Sequence, residues 1–375
     1  MKDFRFRRIE RHRIGGMRDR MELSYPVPRS PSGKIDQYSP NADAVPRLFL
    51  IGDAPADRAI VPEHRQRIRR EPGAGETVCP YSGHVAPDDE FVHFADIEAI
   101  KKQVEWEAAA DIEDHLAAMA KDFNRRQPRN SFISIKMDFK PSRRPRPLTI
   151  REDLLRDLEC DVCRRAYAVY AIALFCPDCG APNLALHFRR EVALVGEQIA
   201  LANGLDASRA ELAYRLMGNA HEDVLTAFET ALRTVYRHLV RVRLPVRAEA
   251  LCAKKEIGNA FQNIDRAREK FGKLGIDPFS TLTDDGLGLL RVNIQKRHVI
   301  GHNLGVADEH YAELTQSEQP GETVTLIGEE THRFAQLCLQ IVTNLESQLL
   351  VDRQAAAASS ATAPDAGSAR GEHAC

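Results

Sequence analysis

Cys160-Asp161-Val162-Cys163 and Cys176-Pro177-Asp178-Cys179-Gly180, twelve residues apart, divide this chain into two parts of different character. Each Cys-x-x-Cys turn aims two thiolates the same way. The β-compatible run Tyr167-Ala168-Val169-Tyr170 between the turns predicts a short hairpin that brings four sulfurs together. Four thiolates suit a tetrahedral Zn²⁺ and leave no open coordination position, so one structural zinc per chain is expected, held by Cys160, Cys163, Cys176 and Cys179. The competing reading, a redox dithiol, normally uses a single such pair beside a βαβ pattern. Cys79-Pro80-Tyr81-Ser82-Gly83 has the form of another such turn with Ser82 in place of its second cysteine. His84 and His93 are nearby substitutes, but the expectation is that no second zinc is bound there.

Downstream of Asn183 the pattern is helical over about 184–203, 207–243, 247–273, 284–300 and 329–352, with breaks at Gly204, Pro245, Gly275 and Pro320. A bundle of four or five helices is predicted. From Gln354 to Cys375 the chain carries no apolar residue larger than Ala or Cys apart from prolines, which predicts a disordered tail.

Upstream, Ser131 to Phe139 alternates polar and apolar residues like a half-buried strand, and a Pro- and Arg-rich linker, Lys140 to Pro147, follows it. Asp89 to Arg125 lacks Pro and Gly and spaces Ile97, Ile100, Val104, Ile112, Leu116 and Met119 as a helix would, predicting one long helix or two consecutive ones. Residues 1–75 mix arginine clusters with Pro, Gly and Ser, as in Tyr25-Pro26-Val27-Pro28-Arg29, and show no sustained apolar period. Most of that region is expected to be flexible, with one short strand at Leu48-Phe49-Leu50-Ile51. The domain expectation is therefore a flexible region 1–75, a cysteine-rich β module with a helical insertion and linker over 76–182, a helical bundle over 183–352 and a tail over 353–375, mainly α in class.

Composition limits the function classes. A chain of 375 residues with 43% hydrophobic and 28% charged residues has no run of about 18 apolar residues, which excludes a membrane-spanning helix. Met1-Lys2-Asp3-Phe4-Arg5 lacks the apolar stretch of a secretory signal, so a cytoplasmic location and reduced thiols are expected. A net charge of -2 argues against a uniformly basic coat for nucleic acid, while leaving local basic patches open.

The chemistry-bearing stretch is Gln295-Lys296-Arg297-His298-Val299-Ile300-Gly301-His302-Asn303, with Arg297 and His302 five positions apart at the end of an apolar helical segment that Gly301 is expected to relax or end. It resembles the motif of the HEPN superfamily: an Arg, four to six residues and a His, commonly with a polar residue after the Arg, here His298. The continuation Asn303-Leu304-Gly305-Val306-Ala307-Asp308-Glu309-His310-Tyr311 is similar to wording found in several such domains, and the resemblance covers about residues 205–350. It implies a HEPN-like helical bundle, metal-independent cleavage of RNA, and a homodimer that pairs two motifs across its interface. It also implies a growth-arrest toxin or phage-defence setting with an antitoxin or regulatory partner.

The residue types suit that chemistry. Ribose 2′-OH must lose a proton as it attacks the adjacent phosphorus, and His302 is a base with an ordinary pKa near ~6.5. Charge accumulating on phosphoryl oxygens suits the planar, always protonated Arg297. The 5′-oxygen also needs a proton, and a two-fold axis supplies a second motif for it. His298 and Asn303 either orient the phosphate and the His302 ring or are simply solvent-facing, and Glu229 is a supporting candidate. Arg233, Arg237 and Arg241 recur every four residues as an RNA-backbone stripe or a solvated helix face.

Two other classes remain: a non-catalytic module that binds nucleic acid or protein, and a transcription-related zinc-ribbon factor whose basic residues 140–151 would contact duplex DNA.

Overall fold

The computed structural model describes residues 5–17, 20–27, 29–56, 60–126, 136–140, 155–316 and 318–361, with side chains as far as residue 350. The strand expected at Ser131–Phe139 falls largely outside these residues, as does nearly all of the linker after it; the described part, 136–140, has no regular structure.

The chain is mainly α. Its β structure lies in the first half. A hairpin of β1 (Arg13–Met17) and β2 (Arg20–Leu23) follows a single-turn helix α1 (Arg7–Glu10). Strands β3 (Ile35–Tyr38) and β4 (Leu48–Ile51) are antiparallel, as are β5 (Glu76–Val78) and β6 (Val85–Pro87). After helix α2 (Phe94–Arg126), strands β7 (Arg156–Glu159) and β8 (Ala166–Val169) complete a four-stranded antiparallel sheet in the order β3-β4-β8-β7. The strand expected at Leu48–Ile51 is therefore present, and it pairs with a segment more than a hundred residues away: Leu50 opposes Ala168.

The expectation of a flexible region over most of 1–75 does not match the fold. Arg8 donates to both Asp111 oxygens at 2.7 Å and pairs with Asp114 at 2.8 Å, and Tyr25 donates to Glu107, so the first residues lie along α2. Arg67 reaches Asp161, the carbonyl of Pro182 and Glu346, and Arg69 lies 3.7 Å from the centroid of the Phe175 ring. These segments are ordered by ion pairs, sheet edges and a cation-π contact. None of those devices produces an apolar period, which is why the sequence pattern misses them.

The second half comprises α3 (Leu184–Asn203), α4 (Ala210–Arg243), α5 (Ala248–Cys252), α6 (Lys254–Ile257), α7 (Ile264–Gly272), α8 (Asp284–Asn303), α9 (Glu309–Thr315) and α10 (Gly328–Ala361). Helix α4 packs against α3, α8 and α10, and α10 also touches α3 and α8. The shared core runs from Phe188, Val195 and Ile199 through Phe228, Leu232 and Leu239 to Phe334, Ile341 and Leu345. Val78, Leu174 and Phe175 of the β module belong to the same cluster, so the two parts share a core.

Three helix expectations need correction. The span 247–273 is not one helix: Ala253 is extended, Gly258 has φ +46°, and Asn263 restarts the chain by accepting from Arg266 N. Helix α8 does not end at Gly301 but runs to Asn303, where Leu304 and Gly305 take left-handed conformations and Gly305 N donates to the Val299 carbonyl. Gly301 lies within the last turns of α8, where a Cβ would meet only the mobile end of the Glu222 side chain, 3.0 Å away. Helix α10 continues to Ala361 through an alanine run of high intrinsic helix propensity, and residues 362–375 lie outside the described residues.

A polar pin fixes α8 against α4. His221 Nε2 and Asn293 Oδ1 are 2.9 Å apart in the core, with the His221 ring stacked on Phe334 of α10. Burial, with Lys296 adding to it, pushes the His221 pKa down to about 4, and burial beside Arg69 and Arg241 pushes His238 to about 3. Both histidines are neutral in the fold and take up a proton more readily when it opens. Their stabilisation is complete above the unfolded value near ~6.5 and is lost as pH falls through the window from there to about 4 for His221 and about 3 for His238. The denaturant midpoint followed by helical circular dichroism should therefore fall across that window. His221→Gln, less stable at pH 7, should show a shallower fall, the difference amounting to about 3 kcal/mol. Parallel curves for the two proteins would refute this assignment.

Candidate functional site

Two places collect functional side chains. The first is the cysteine cluster. Cys160–Cys163 forms the tip of the β7-β8 hairpin, and Cys176–Cys179 forms the turn that leads into α3. Both turns use the same backbone bonds: Cys160 N donates to Arg165 O and Arg164 N to Cys160 O, while Cys176 N donates to Ala181 O and Gly180 N to Cys176 O. The residue after each pair is left-handed, Arg164 at φ 60° and Gly180 at φ 68°. Only Gly fits at 180, where a Cβ would stand 2.6 Å from that of Arg69.

All four sulfurs are buried and lie within 4.8 Å of one another, with Cys160 and Cys179 3.8 Å apart and Cys163 and Cys176 3.6 Å apart. These are free thiols, too far apart for S–S bonds. Those two separations are close to the edge of about 3.8 Å that a metal–sulfur bond of about 2.3 Å gives in a tetrahedron of sulfurs around one ion. Hydrogen bonds from the three neighbouring thiols hold the Cys160 thiol far below its ordinary value, and burial pushes Cys176 well above its own. A bound divalent cation is what would allow all four to be thiolates.

Cys79 sits in a third turn of the same construction, with Cys79 N bonded to His84 O and Gly83 N to Cys79 O. Its place is structural: Leu174 N and Phe175 N both donate to Pro80 O, and Tyr81 Oη donates to the Leu48 carbonyl. His93 groups with Asp36 and Asp96 rather than with Cys79.

The second place is a cleft of about 460 Å³ between α4, the broken segment 259–266, α8 and the start of α9. Arg297 and His298 line it, facing Glu229 of α4. Arg297 is half-buried, with a buried Nε that has no partner. Glu229 accepts from Gln262 through Oε2, while its buried Oε1 has no partner either. Burial raises the Glu229 pKa, against the pull of the Gln262 bond and of Arg297 and Arg233.

His302 does not line this cleft. Five residues of helix turn it about 140° round the axis from Arg297, and among the described residues no hydrogen bond or ion pair joins the two. It is His298, one turn back, that His302 meets, with ring centroids 4.7 Å apart. His302 and Asn303 are exposed, as is Leu304 at 90%.

Arg233, Arg237 and Arg241 continue the Glu229 row along α4 in steps of one turn, about 6 Å each. Arg233 and Arg237 are half-buried and Arg241 is exposed, and among the described residues none makes a salt bridge.

Asn259, Gln262, Asn263, Arg266, Asp308 and His310 also line the cleft and were not singled out from the sequence as site residues. The break at Gly258-Asn259 and the caps at Asn263 and Asp308 are the turn signals that point to them.

No known family model, curated protein or solved structure matches this chain.

Glu229 places a carboxylate with a raised pKa in this cleft, so its folded-state stability is lost as pH rises above the ordinary carboxylate value. Glu229→Gln removes that charge, keeps the shape, and should raise the thermal midpoint at pH 7. A lowered midpoint would show that the Glu229 charge is compensated in the folded protein.

Proposed function

We propose that the helical bundle is a HEPN-type, metal-independent endoribonuclease acting on RNA, and that the β module is a zinc ribbon whose ion is structural. The observation that carries the nuclease reading is the cleft itself. Arg297 and Glu229 line a polar cavity together with His298, and each carries a buried polar atom without a partner, Arg297 Nε and Glu229 Oε1. Orphaned buried polar atoms are uncommon in folded proteins, and a phosphate with its ribose is a ligand that would satisfy an arginine donor and a carboxylate acceptor together.

In this reading Arg297 binds the non-bridging phosphoryl oxygens and offsets the charge that grows on them. His302, outside the cleft with its ring against His298, would take the 2′-proton of a strand that passes from the cleft over the end of α8. Glu229 and Gln262 hold the ribose or orient Arg297. The 5′-oxygen leaves with a proton from a second motif across a two-fold axis. The exposed end of α8 at His302, Asn303 and Leu304 supports a homodimer, since it offers a surface for a self-complementary contact. The row Arg233, Arg237 and Arg241 leads away from the cleft and would track the RNA backbone. A toxin or defence role, with a partner that restrains cleavage, is the setting that the family resemblance brings with it.

Incubation of the purified chain with mixed RNA in EDTA should yield fragments ending in 2′,3′-cyclic phosphate. Arg297→Ala and His302→Ala should each lower the rate at least 100-fold. Binding of RNA without cleavage by the unaltered chain would instead favour a binding module.

The zinc reading rests on the four buried sulfurs and their close approach. Titration with an organomercurial should release one Zn²⁺ per chain from this site as the four thiols react, with loss of the β module's structure. Cys176→Ser should retain little or no zinc at this site, and normal retention would refute the assignment.

A further inference from the structure

Away from both places, Asp36, His93 and Asp96 each bring a potential ligand atom to one point, all within 4.8 Å of one another. Three elements supply them: β3 carries Asp36, the link after the 3-10 turn Asp88–Phe91 carries His93, and the first turn of α2 carries Asp96. The backbone brings them together, because Gln37 forms a bridge with Val92 and Asp96 N donates to the His93 carbonyl. The His93 ring is held by stacking on Tyr38 at 5.2 Å and by an edge contact with Phe94 at 4.8 Å.

What distinguishes this trio from a surface acidic patch is its burial and its lack of partners. Asp36 is 8% exposed and Asp96 3%. Asp36 Oδ1, Asp96 Oδ2 and His93 Nδ1 are all buried with no hydrogen-bond partner. Among the described residues no lysine or arginine pairs with either carboxylate. Two carboxylates taken out of water side by side, with one imidazole and no counter-charge, are costly unless a proton or a cation joins them. Burial raises both aspartates, and the Asp36 charge raises Asp96 further, to about 6.

We propose that Asp36, His93 and Asp96 form a second metal site, taking a small divalent cation of the zinc or manganese type that accepts oxygen and nitrogen ligands together. The two carboxylates neutralise a 2+ charge, and the imidazole favours a transition ion over Mg²⁺ or Ca²⁺. A triangle with edges of at most 4.8 Å has its centre at most about 2.8 Å from each corner, so a contraction of no more than about 0.7 Å brings the ligands to a bonding distance of about 2.1 Å. The ion would tie strand β3 to the first turn of α2, whose apolar side chains Phe94 and Ile97 are both exposed. It is independent of the four-cysteine site and of the nuclease reading.

Cobalt titration of the metal-stripped full-length chain tests this. The four-cysteine site should announce itself by thiolate-to-cobalt charge transfer. A second equivalent should add ligand-field absorption without charge transfer, and Asp96→Asn and His93→Ala should each lose that second equivalent while keeping the first. Plasma mass spectrometry after dialysis against Zn²⁺ should count two ions per chain, falling to one in either variant. A single equivalent in the unaltered chain, by both measures, overturns the site and leaves the aspartates sharing a proton. So does a second equivalent that survives in both variants. If a variant fails to fold, the count in the unaltered chain decides alone.

Discussion

Four cysteine sulfurs confined to one small buried volume are the constraint from which much of this molecule follows. Their convergence closes the β7-β8 hairpin at Cys160 and sets the second turn at Cys176, and the sheet and the bundle meet there. Asn183, the residue before α3, makes this connection concrete: its Oδ1 approaches Cys160 Sγ, its Nδ2 donates to Tyr167 Oη, and its backbone N–H bonds to Leu174 O. Glu346 of α10 then accepts from Ala185 N, capping the helix that starts there, and Arg67 joins the same carboxylate from the N-terminal side. A change at the cysteines would thus reach α3 and α10 through polar contacts only a few residues long.

The bundle sets the position of the cleft in a different way. Helix α8 is pinned by His221 to Asn293 and by Lys296 to the Thr325 carbonyl, so Arg297 and His298 are held on a rigid element. The opposite wall is irregular chain, 259–266, whose backbone polar groups are partly satisfied by caps such as Asn263. Rigid groups facing an interrupted helix leave a polar cavity where continuous helices would have closed on apolar side chains.

Much of the helical architecture was legible from periodicity and punctuation. The breaks at Gly204, Pro245 and Gly275 fall where helices end, and Thr283 caps α8 by accepting from Gly286 N. The cysteine spacing by itself points to a four-sulfur cluster, because two Cys-x-x-Cys turns have few other uses. The N-terminal third was harder. Strand β3 reads Ile-Asp-Gln-Tyr, and β1 carries two glycines, so neither shows the alternation of a half-buried strand. Helix α2 keeps Ile112, Leu116, Met119 and Phe123 exposed while burying Asp96, Glu107 and Asp111, the reverse of what its apolar spacing suggests.

The sequence alone determined where the long helices lie and which cysteines group together, since these depend on neighbours a few positions apart. The tertiary structure decided that Glu229 faces Arg297 while His302 turns away toward His298, and that Asp36 meets His93 and Asp96. It also decided that residues 29–75 build onto the cysteine module. Those pairings join residues far apart in the chain through charge, hydrogen bonds and strand register, which leave no local period to read.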